Sequence, residues 1–234
     1  MASKINTVAR IGFWSAVLTA LIAFVSFGIA IATPPRSGPF CLAGCITYPY
    51  ANAVSFFPRD YIWMMPGIFL TPLFVVLMAC IHRSADGDKK LFSLIGLSFA
   101  LVSTAVISMD YFIQLTVMQP SLLQGEMDGL ALFSQYNPHG IFIALEELGY
   151  LMLALAFFFA ALVFTQVGRL EQSIRWVFIA GSLGTFVAFI SLTLLYGNDL
   201  EYRFEVTAIT ITWITLIVSG ILLAILFRRR EHSD

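Results

Sequence analysis

Two adjacent carboxylates interrupt an otherwise apolar stretch of the chain. Residues 137–151 read NPHGIFIALEELGYL, in which Glu146 and Glu147 stand among leucine, isoleucine and alanine. Acidic side chains within a membrane helix are costly to insert and usually belong to a functional site. Clustered carboxyl groups can bind a cation, relay protons or act as general acid and base. The stretch is therefore a candidate site for one of these three kinds of chemistry.

The sequence predicts that a helix starts just before these carboxylates. Asn137 can accept the free N–H groups of a first turn, and the proline after it is favoured at the first helical position. Counted from there, His139, Glu146 and Tyr150 share one face of the helix. Glu147 points about 100° away, so the two carboxylates need not share a partner.

A depth estimate adds acids from other segments. At about 1.5 Å per residue, Glu146 and Asp110 each lie roughly 30 Å, or one hydrocarbon thickness, from the far ends of their predicted spans. Glu205 and Asp60 fall near the same level, so the acids form a layer at one boundary of the membrane. We predict an acidic pocket there. Its candidate ligand- or ion-binding residues are Asp110, Gln114, His139, Glu146, Glu147 and Tyr150.

A structural role is the alternative for this acidic layer. Arg59 and Arg203 fall at the same level and are candidate ion-pair partners of the acids. Helix N-termini also favour nearby negative charge. No HExxH or CxxC motif is present, so we predict no metal site, and the sequence leaves any cofactor unknown.

Cys41 and Cys45 form a close pair in the sequence CLAGC. A structural disulfide is the favoured interpretation, because exported compartments allow disulfides to persist. A redox-active pair, a zinc site that also uses His139, and two free thiols remain as alternatives. The third cysteine, Cys80, lies in an apolar segment and is expected to be a packed thiol.

The composition indicates an integral membrane protein. Of the 234 residues, 59% are hydrophobic and 12% are charged, and the mean hydropathy is +0.87. Soluble domains have roughly 45–50% apolar and about 25% charged residues. The net charge of −1 gives no basic surface for nucleic acid. The lipid bilayer is therefore the first expected partner.

Six apolar stretches are each long enough for a helix that crosses a bilayer, which takes about 20 residues. They lie near 11–33, 61–82, 91–118, 141–166, 175–196 and 205–228. We predict an all-α bundle of six transmembrane helices that forms a single domain over 1–234. The long connections 34–60 and 119–137 are predicted to form an outer cap. The second one repeats apolar residues at helical spacing, which favours an amphipathic surface helix: Leu123, Met127, Leu130 and Phe133.

The distribution of lysine and arginine predicts the orientation. An even number of spans places both termini on one side, and that side holds all but three of the 13 basic residues. Because cytoplasmic loops carry the excess of basic residues, both termini are expected to be cytoplasmic. We interpret the first span as an uncleaved helix. A signal peptide that is cleaved after Ala30-Ile31-Ala32 is the alternative.

Three short segments carry a resemblance to known proteins. They are ARIG before the first span, GRLEQSIRW before a late span and the terminal RRR. With this layout, the chain resembles uncharacterised prokaryotic families of small multi-spanning membrane proteins. The resemblance implies a helical membrane bundle in the plasma membrane, and it implies no chemistry.

Three classes of function follow from these patterns. The first is a binding or transport protein whose outward-facing acidic pocket takes a cation, a proton or a small polar or lipid-like molecule. The second is a membrane-embedded enzyme at the outer leaflet, with Glu146 or Asp110 as base and His139 as acid. The third is a non-catalytic subunit that binds another membrane protein. We favour the first class. The stretch from Asp110 to Tyr150 matches no recognised catalytic or transport motif.

Overall fold

The computed structural model describes residues 2–164 and 168–232, with side chains from residue 7 onward. This part of the chain is helical and contains no strand. Its α-helices are α1 (Ala2–Ala32), α2 (Met64–Arg83), α3 (Lys89–Ile113), α4 (Gln119–Gln124), α5 (Ile141–Ala161), α6 (Arg169–Tyr196) and α7 (Tyr202–Glu231). A π-helical turn, Gln114–Met118, joins α3 to α4. Short 3-10 helices occupy Gly38–Phe40, Ala51–Phe56, Arg59–Tyr61, Leu130–Leu132 and Gly197–Asp199.

In the described ranges, six helices are long and apolar enough to cross a membrane. This confirms the predicted all-α architecture with six spans and is consistent with a multi-pass membrane protein. The third span is longer than predicted, because α3, the π-helical turn and α4 run on continuously to Gln124. The fourth is shorter than the predicted 141–166: α5 ends at Ala161, and residues 165–166 lie outside the described residues.

The start of α5 differs from the prediction. The helix begins at Ile141, after Gly140, and Asn137 does not cap it. Instead, Asn137 Oδ1 accepts the N–H of His139 at 3.0 Å, and Asn137 Nδ2 donates to the carbonyl of Ala131 at 3.0 Å. Asparagine commonly bonds to the backbone two residues ahead, which stabilises a turn rather than a helix. His139 therefore lies outside the helix that carries Glu146.

The predicted amphipathic helix within 119–137 is broken. Gly125 ends α4 with a φ of 75°, and Gly129 has a φ of 72°. Glycine adopts this left-handed conformation without the steric penalty of a side chain. Only the 3-10 turn Leu130–Leu132 follows, so the segment folds back toward the bundle.

The six long helices form a closed ring in chain order. Each packs against the next, α7 packs against α1 to close the ring, and α5 also contacts α7 across the centre. Small residues allow close approach: a Cβ on Gly149 of α5 would collide with Ile107 of α3. A Cβ on Gly220 of α7 would lie 2.9 Å from the carbonyl oxygen of Ala16 in α1.

The two ends of the bundle differ. The loop end is where α1 and α6 finish and where α2, α5 and α7 begin; it carries residues 33–63 and 125–140. The opposite end, called the terminal end, carries the start of α1 and the end of α7. Phe74, Phe157 and Phe178 are buried between the two ends, with ring centroids 5.7 Å and 5.5 Å apart for successive pairs. Cys41 and Cys45 form a disulfide at the loop end, as predicted, and Cys80 is a buried free thiol.

Candidate functional site

Glu146 lies at the centre of the loop-end half of the bundle. It is the sixth residue of α5, its side chain has no solvent exposure, and its Oε1 accepts a 2.6 Å hydrogen bond from the hydroxyl of Tyr111 on α3. The Tyr111 hydroxyl also lies 2.9 Å from the hydroxyl of Tyr150. Glu146 and Tyr150 are one helical turn apart on α5, which is why both reach the same partner.

Two further carboxyl groups meet Glu146 in the interior. Asp110 of α3 and Glu205 of α7 are 2% and 8% exposed, and both interact electrostatically with Glu146. Asp110 also interacts with Glu205. We refer to Asp110, Glu146 and Glu205 as the carboxyl cluster. It draws on three helices that are distant in the sequence, so it forms only when the bundle is closed.

The carboxyl cluster has free hydrogen-bonding capacity. Asp110 Oδ2 and Glu146 Oε2 are buried and receive no hydrogen bond from an N–H or hydroxyl donor. Glu205 is a carboxyl neighbour of Glu146 in the interior, and the two groups interact electrostatically. A hydrogen bond between two carboxyl groups forms only when one of them carries a proton, because an ionised carboxylate is solely an acceptor. The arrangement can therefore hold a shared proton.

The nearby arginines pair with other acids. Arg36 Nε and Arg59 Nε lie 3.3 Å and 2.6 Å from the carboxylate oxygens of Asp60. Arg203 pairs with Glu201 at 3.2 Å. No lysine, arginine or histidine of the described chain forms an ion pair with the carboxyl cluster. Arg36 and Arg59 therefore account for Asp60, and Arg203 accounts for Glu201. The carboxyl cluster is left without a cationic partner among the described residues.

A pocket of about 220 Å³ opens at the loop end beside the carboxyl cluster. It lies between the end of α1, the start of α7 and the connecting segments, and Glu205 is part of its wall. Ile31 and Val206 line its mouth and are 70% and 43% exposed. Glu205 is the one member of the carboxyl cluster that also lines this pocket, so it connects the pocket to the buried Glu146.

The walls of this loop-end pocket combine aromatic rings with polar atoms. Trp63 is buried and held in place by a 3.1 Å hydrogen bond from its indole N–H to the carbonyl of Asp60. Tyr136 is also buried, and its hydroxyl has no hydrogen-bond partner among the described residues. Burial, together with the nearby Tyr61 and Asp60, raises the pKa of Tyr136 well above its usual value, so this hydroxyl stays neutral.

The hydroxyl of Tyr202 ties the pocket walls together. It lies 2.7 Å from the Ser37 hydroxyl and donates to the carbonyl of Gln135 at 3.1 Å. These contacts join α7 to both loop-end connections. The pocket is thus built by fixed groups from three separate parts of the chain.

A second, smaller cavity lies deeper in the bundle. It measures about 20 Å³, and its mainly apolar lining also includes Thr71, Ser103, Tyr111 and Tyr150. A volume of roughly 10–15 Å³ with several polar partners is enough for one water molecule. Beyond it, toward the terminal end, lie the three packed rings of Phe74, Phe157 and Phe178.

The remaining predicted site residues lie outside the carboxyl cluster. Gln114 is buried, but its amide bonds to the backbone of Phe133 and Gln135 and so fixes the loop. His139 is exposed, and its ring makes no hydrogen bond to a carboxylate among the described residues. Glu147 is half-buried and makes no described hydrogen bond. The structure therefore does not bring His139, the acid of the enzyme hypothesis, to the carboxyl cluster.

Sequence reasoning missed three participants. The depth estimate puts Glu205 at the level of the site, but the sequence analysis does not assign it to the site. An acidic residue in the first turn of an apolar span is the signal that could have identified it. Tyr111 follows Asp110 directly, and a buried tyrosine beside a buried acid is a recurrent hydrogen-bond donor. Arg36 gave no signal, because its pairing with Asp60 depends on the path of the loop.

No metal site is present among the described residues, which contain no group of three or more histidine, cysteine, aspartate or glutamate side chains arranged to hold a metal ion. Carboxylate and water oxygens would suit Mg²⁺ or Ca²⁺, but such ions need about six ligands or more in close geometry. The donor set of the carboxyl cluster fits protons better.

Comparison with known proteins adds no relative. The chain matches no protein family, no curated protein and no solved structure. The functional argument therefore rests on the residues and their geometry.

Proposed function

We propose that this multi-pass membrane protein binds a proton reversibly at the carboxyl cluster and a small ligand in the adjoining loop-end pocket. The observation that carries the proposal is the dual position of Glu205, which lines the pocket and is the carboxyl neighbour of buried Glu146. A proton or ligand that enters the pocket therefore meets a group coupled to the interior of the bundle.

The energetics of burial support a protonated pair. An ionised carboxylate is strongly disfavoured in a dry interior unless it is paired or fully hydrogen-bonded. Glu146 receives one strong bond, from Tyr111, and forms no ion pair with a basic side chain in the described part of the chain. Two neighbouring carboxylates also repel each other, so one proton shared between them relieves both penalties.

Access to Glu205 from the loop end is the second observation that supports the proposal. The loop-end pocket reaches Glu205, and a separate cavity of about 20 Å³ lies beside Tyr111 and Tyr150. The rings of Phe74, Phe157 and Phe178 then fill the space toward the terminal end. In this conformation the protein binds from the loop end, and transport requires these rings to move.

The cellular setting belongs to the same proposal. We place the protein in a prokaryotic plasma membrane with both termini cytoplasmic and the loop end outside, because the basic residues concentrate at the terminal end. Labelling of intact cells with a membrane-impermeant maleimide tests this placement. Glu126→Cys should react, and Gln172→Cys should react only after permeabilisation. The reverse pattern would invert the topology.

Infrared difference spectroscopy of the full chain in lipid nanodiscs tests the proton site. We expect a protonated-carboxyl stretching band at neutral pH that disappears on alkaline titration. Glu146→Gln and Glu205→Gln should each remove it, whereas the exposed-loop variant Glu126→Gln should keep it. A wild-type spectrum without this band, or a band that persists in both variants, would exclude the shared proton.

A further inference from the structure

The charges that line the loop-end pocket do not balance. Arg36 and Asp60 both line it, and they neutralise each other through their 3.3 Å ion pair. Arg59 also pairs with Asp60, but it lies outside the lining and its side chain is 58% exposed, so water screens its charge from the pocket. Glu205 is then the one acidic side chain of the wall without a basic partner. When Glu205 is ionised, the side chains that line the pocket carry one uncompensated negative charge.

Aromatic rings line the pocket together with the unpaired carboxyl group of Glu205. Phe27, Trp63 and Phe142 line the pocket together with Glu205. The Trp63 indole is fixed by its hydrogen bond to Asp60 and by an edge contact with Tyr111 at 5.2 Å. The face of an aromatic ring attracts a cation, and tryptophan does so most strongly. Fixed rings also bind without losing conformational freedom.

Polar and apolar groups define the ends of the pocket. Tyr136 contributes a buried, neutral hydroxyl without a hydrogen-bond partner among the described residues, which can accept a ligand N–H. The mouth is apolar, since Ile31 and Val206 line it. The pocket thus matches a molecule with a charged nitrogen at one end and an apolar body at the other.

We propose that the loop-end pocket binds a small monovalent organic ammonium cation, with its nitrogen beside Glu205 and Trp63 and its apolar body toward Ile31 and Val206. This inference rests on the proposed function and names its ligand class. The volume of about 220 Å³ limits the size of the ligand. Pockets for drug-sized molecules measure roughly 300–1,000 Å³, so the ligand is smaller than these.

Ligand binding should exchange a cation for a proton. The ammonium group enters as R–NH₃⁺ and pairs with Glu205, and the proton shared by Glu146 and Glu205 leaves to water. Charge is conserved, and no covalent bond to carbon changes. The titratable and charged groups that face this exchange from the packed elements are Arg36, Asp60, Asp110, Tyr111, Tyr136, Glu146, Glu147, Tyr150 and Tyr202.

Titration calorimetry on the full chain in nanodiscs tests the ligand class with three probes that share a phenethyl skeleton. Phenethylammonium carries the positive charge, phenethyl alcohol is its neutral counterpart, and phenylalanine adds a carboxylate. We expect the ammonium to bind roughly tenfold or more tightly than the alcohol, as one desolvated cation contact implies. In buffers of different ionisation enthalpy, binding should release up to one proton per ligand.

The outcomes separate this inference from the proton site. Equal binding of the alcohol, or tighter binding of phenylalanine, would overturn the ammonium assignment. If the protonated-carboxyl band is present and no probe binds, the ligand class is wrong and the proton site stands. Glu205→Gln should abolish proton release, and the three wild-type probes decide the question even if this variant does not fold.

Discussion

The Tyr111 hydroxyl donates a 2.6 Å hydrogen bond to Glu146 Oε1 between two helices, at a depth where neither group reaches solvent. Such charge-assisted bonds are roughly twice as strong as those between neutral groups. The bond fixes the orientation of the carboxyl and leaves its second oxygen, Oε2, without a hydrogen-bond donor among the described residues. It also links α3 to α5 at the level of the site.

Removal of this hydroxyl should weaken the bundle. Tyr111→Phe loses the bonds to Glu146 and Tyr150 without changing the ring, so we expect a loss of about 1–2 kcal/mol of unfolding free energy. Reversible unfolding in mixed detergent micelles measures it. Tyr48→Phe is the control, because Tyr48 is 73% exposed. Equal stability of Tyr111→Phe and wild type would mean that the bond is not formed.

The contact between α3 and α5 should tolerate no added side-chain volume at Gly149. An added Cβ there would collide with Ile107, so Gly149→Ala should destabilise the protein by roughly 1–3 kcal/mol. Gly28→Ala is the matched control, since no atom lies within 4 Å of its Cβ position. The control should be neutral or stabilising by up to about 1 kcal/mol, because alanine favours helix more than glycine does. Thermal unfolding followed by circular dichroism compares the two.

Asp60 should hold the first loop-end connection in place. Asp60→Asn leaves Arg36 and Arg59 without their carboxylate, and breaking a buried ion pair in this way costs roughly 3 kcal/mol at most here, since Arg59 is half exposed. Hydrogen exchange should accelerate across 33–63 and stay unchanged in α6. The control Asp199→Asn changes an exposed acid at the same end. Unaltered exchange in Asp60→Asn would show that the pairs do not order the loop.

The packed rings should prevent proton leakage across the bundle. Phe157→Ala removes the ring between Phe74 and Phe178, and such truncations cost about 3–5 kcal/mol through the cavity they leave. We expect liposomes that contain this variant to lose an imposed pH gradient faster than wild type. Phe158→Ala is the control, because its side chain faces outward. Identical leak rates for both variants would argue against the rings as the barrier.

The number of spans could be predicted from the sequence because burial in lipid demands long apolar runs, which a single chain displays directly. The start of α5 could not be predicted in this way. Asn137 stabilises a turn instead of capping the helix, and both roles use the same side-chain atoms. The predicted end of the third span, at residue 118, was also wrong, because the helical conformation continues until Gly125.

The site was predictable only in part. Depth along each helix placed Asp110, Glu146 and Glu205 at one level, which is a one-dimensional property of the sequence. Which of these carboxyl groups come close together depends on the rotation of α7 relative to α3 and α5. That rotation is set by the packing of the helices. Arg36 shows the same limit, since it reaches Asp60 through a loop whose path no local pattern specifies.

The closed ring of helices has a consequence for biosynthesis. Helices that enter the membrane in chain order can each dock on a neighbour already made, but α7 must seal the ring against α1 and α5. Until it arrives, Asp110 and Glu146 face lipid or a chaperone without Glu205. In newly made chains, these two acids would therefore stay uncovered until the last helix is in place. The carboxyl cluster would then be the last part of the interior to be completed.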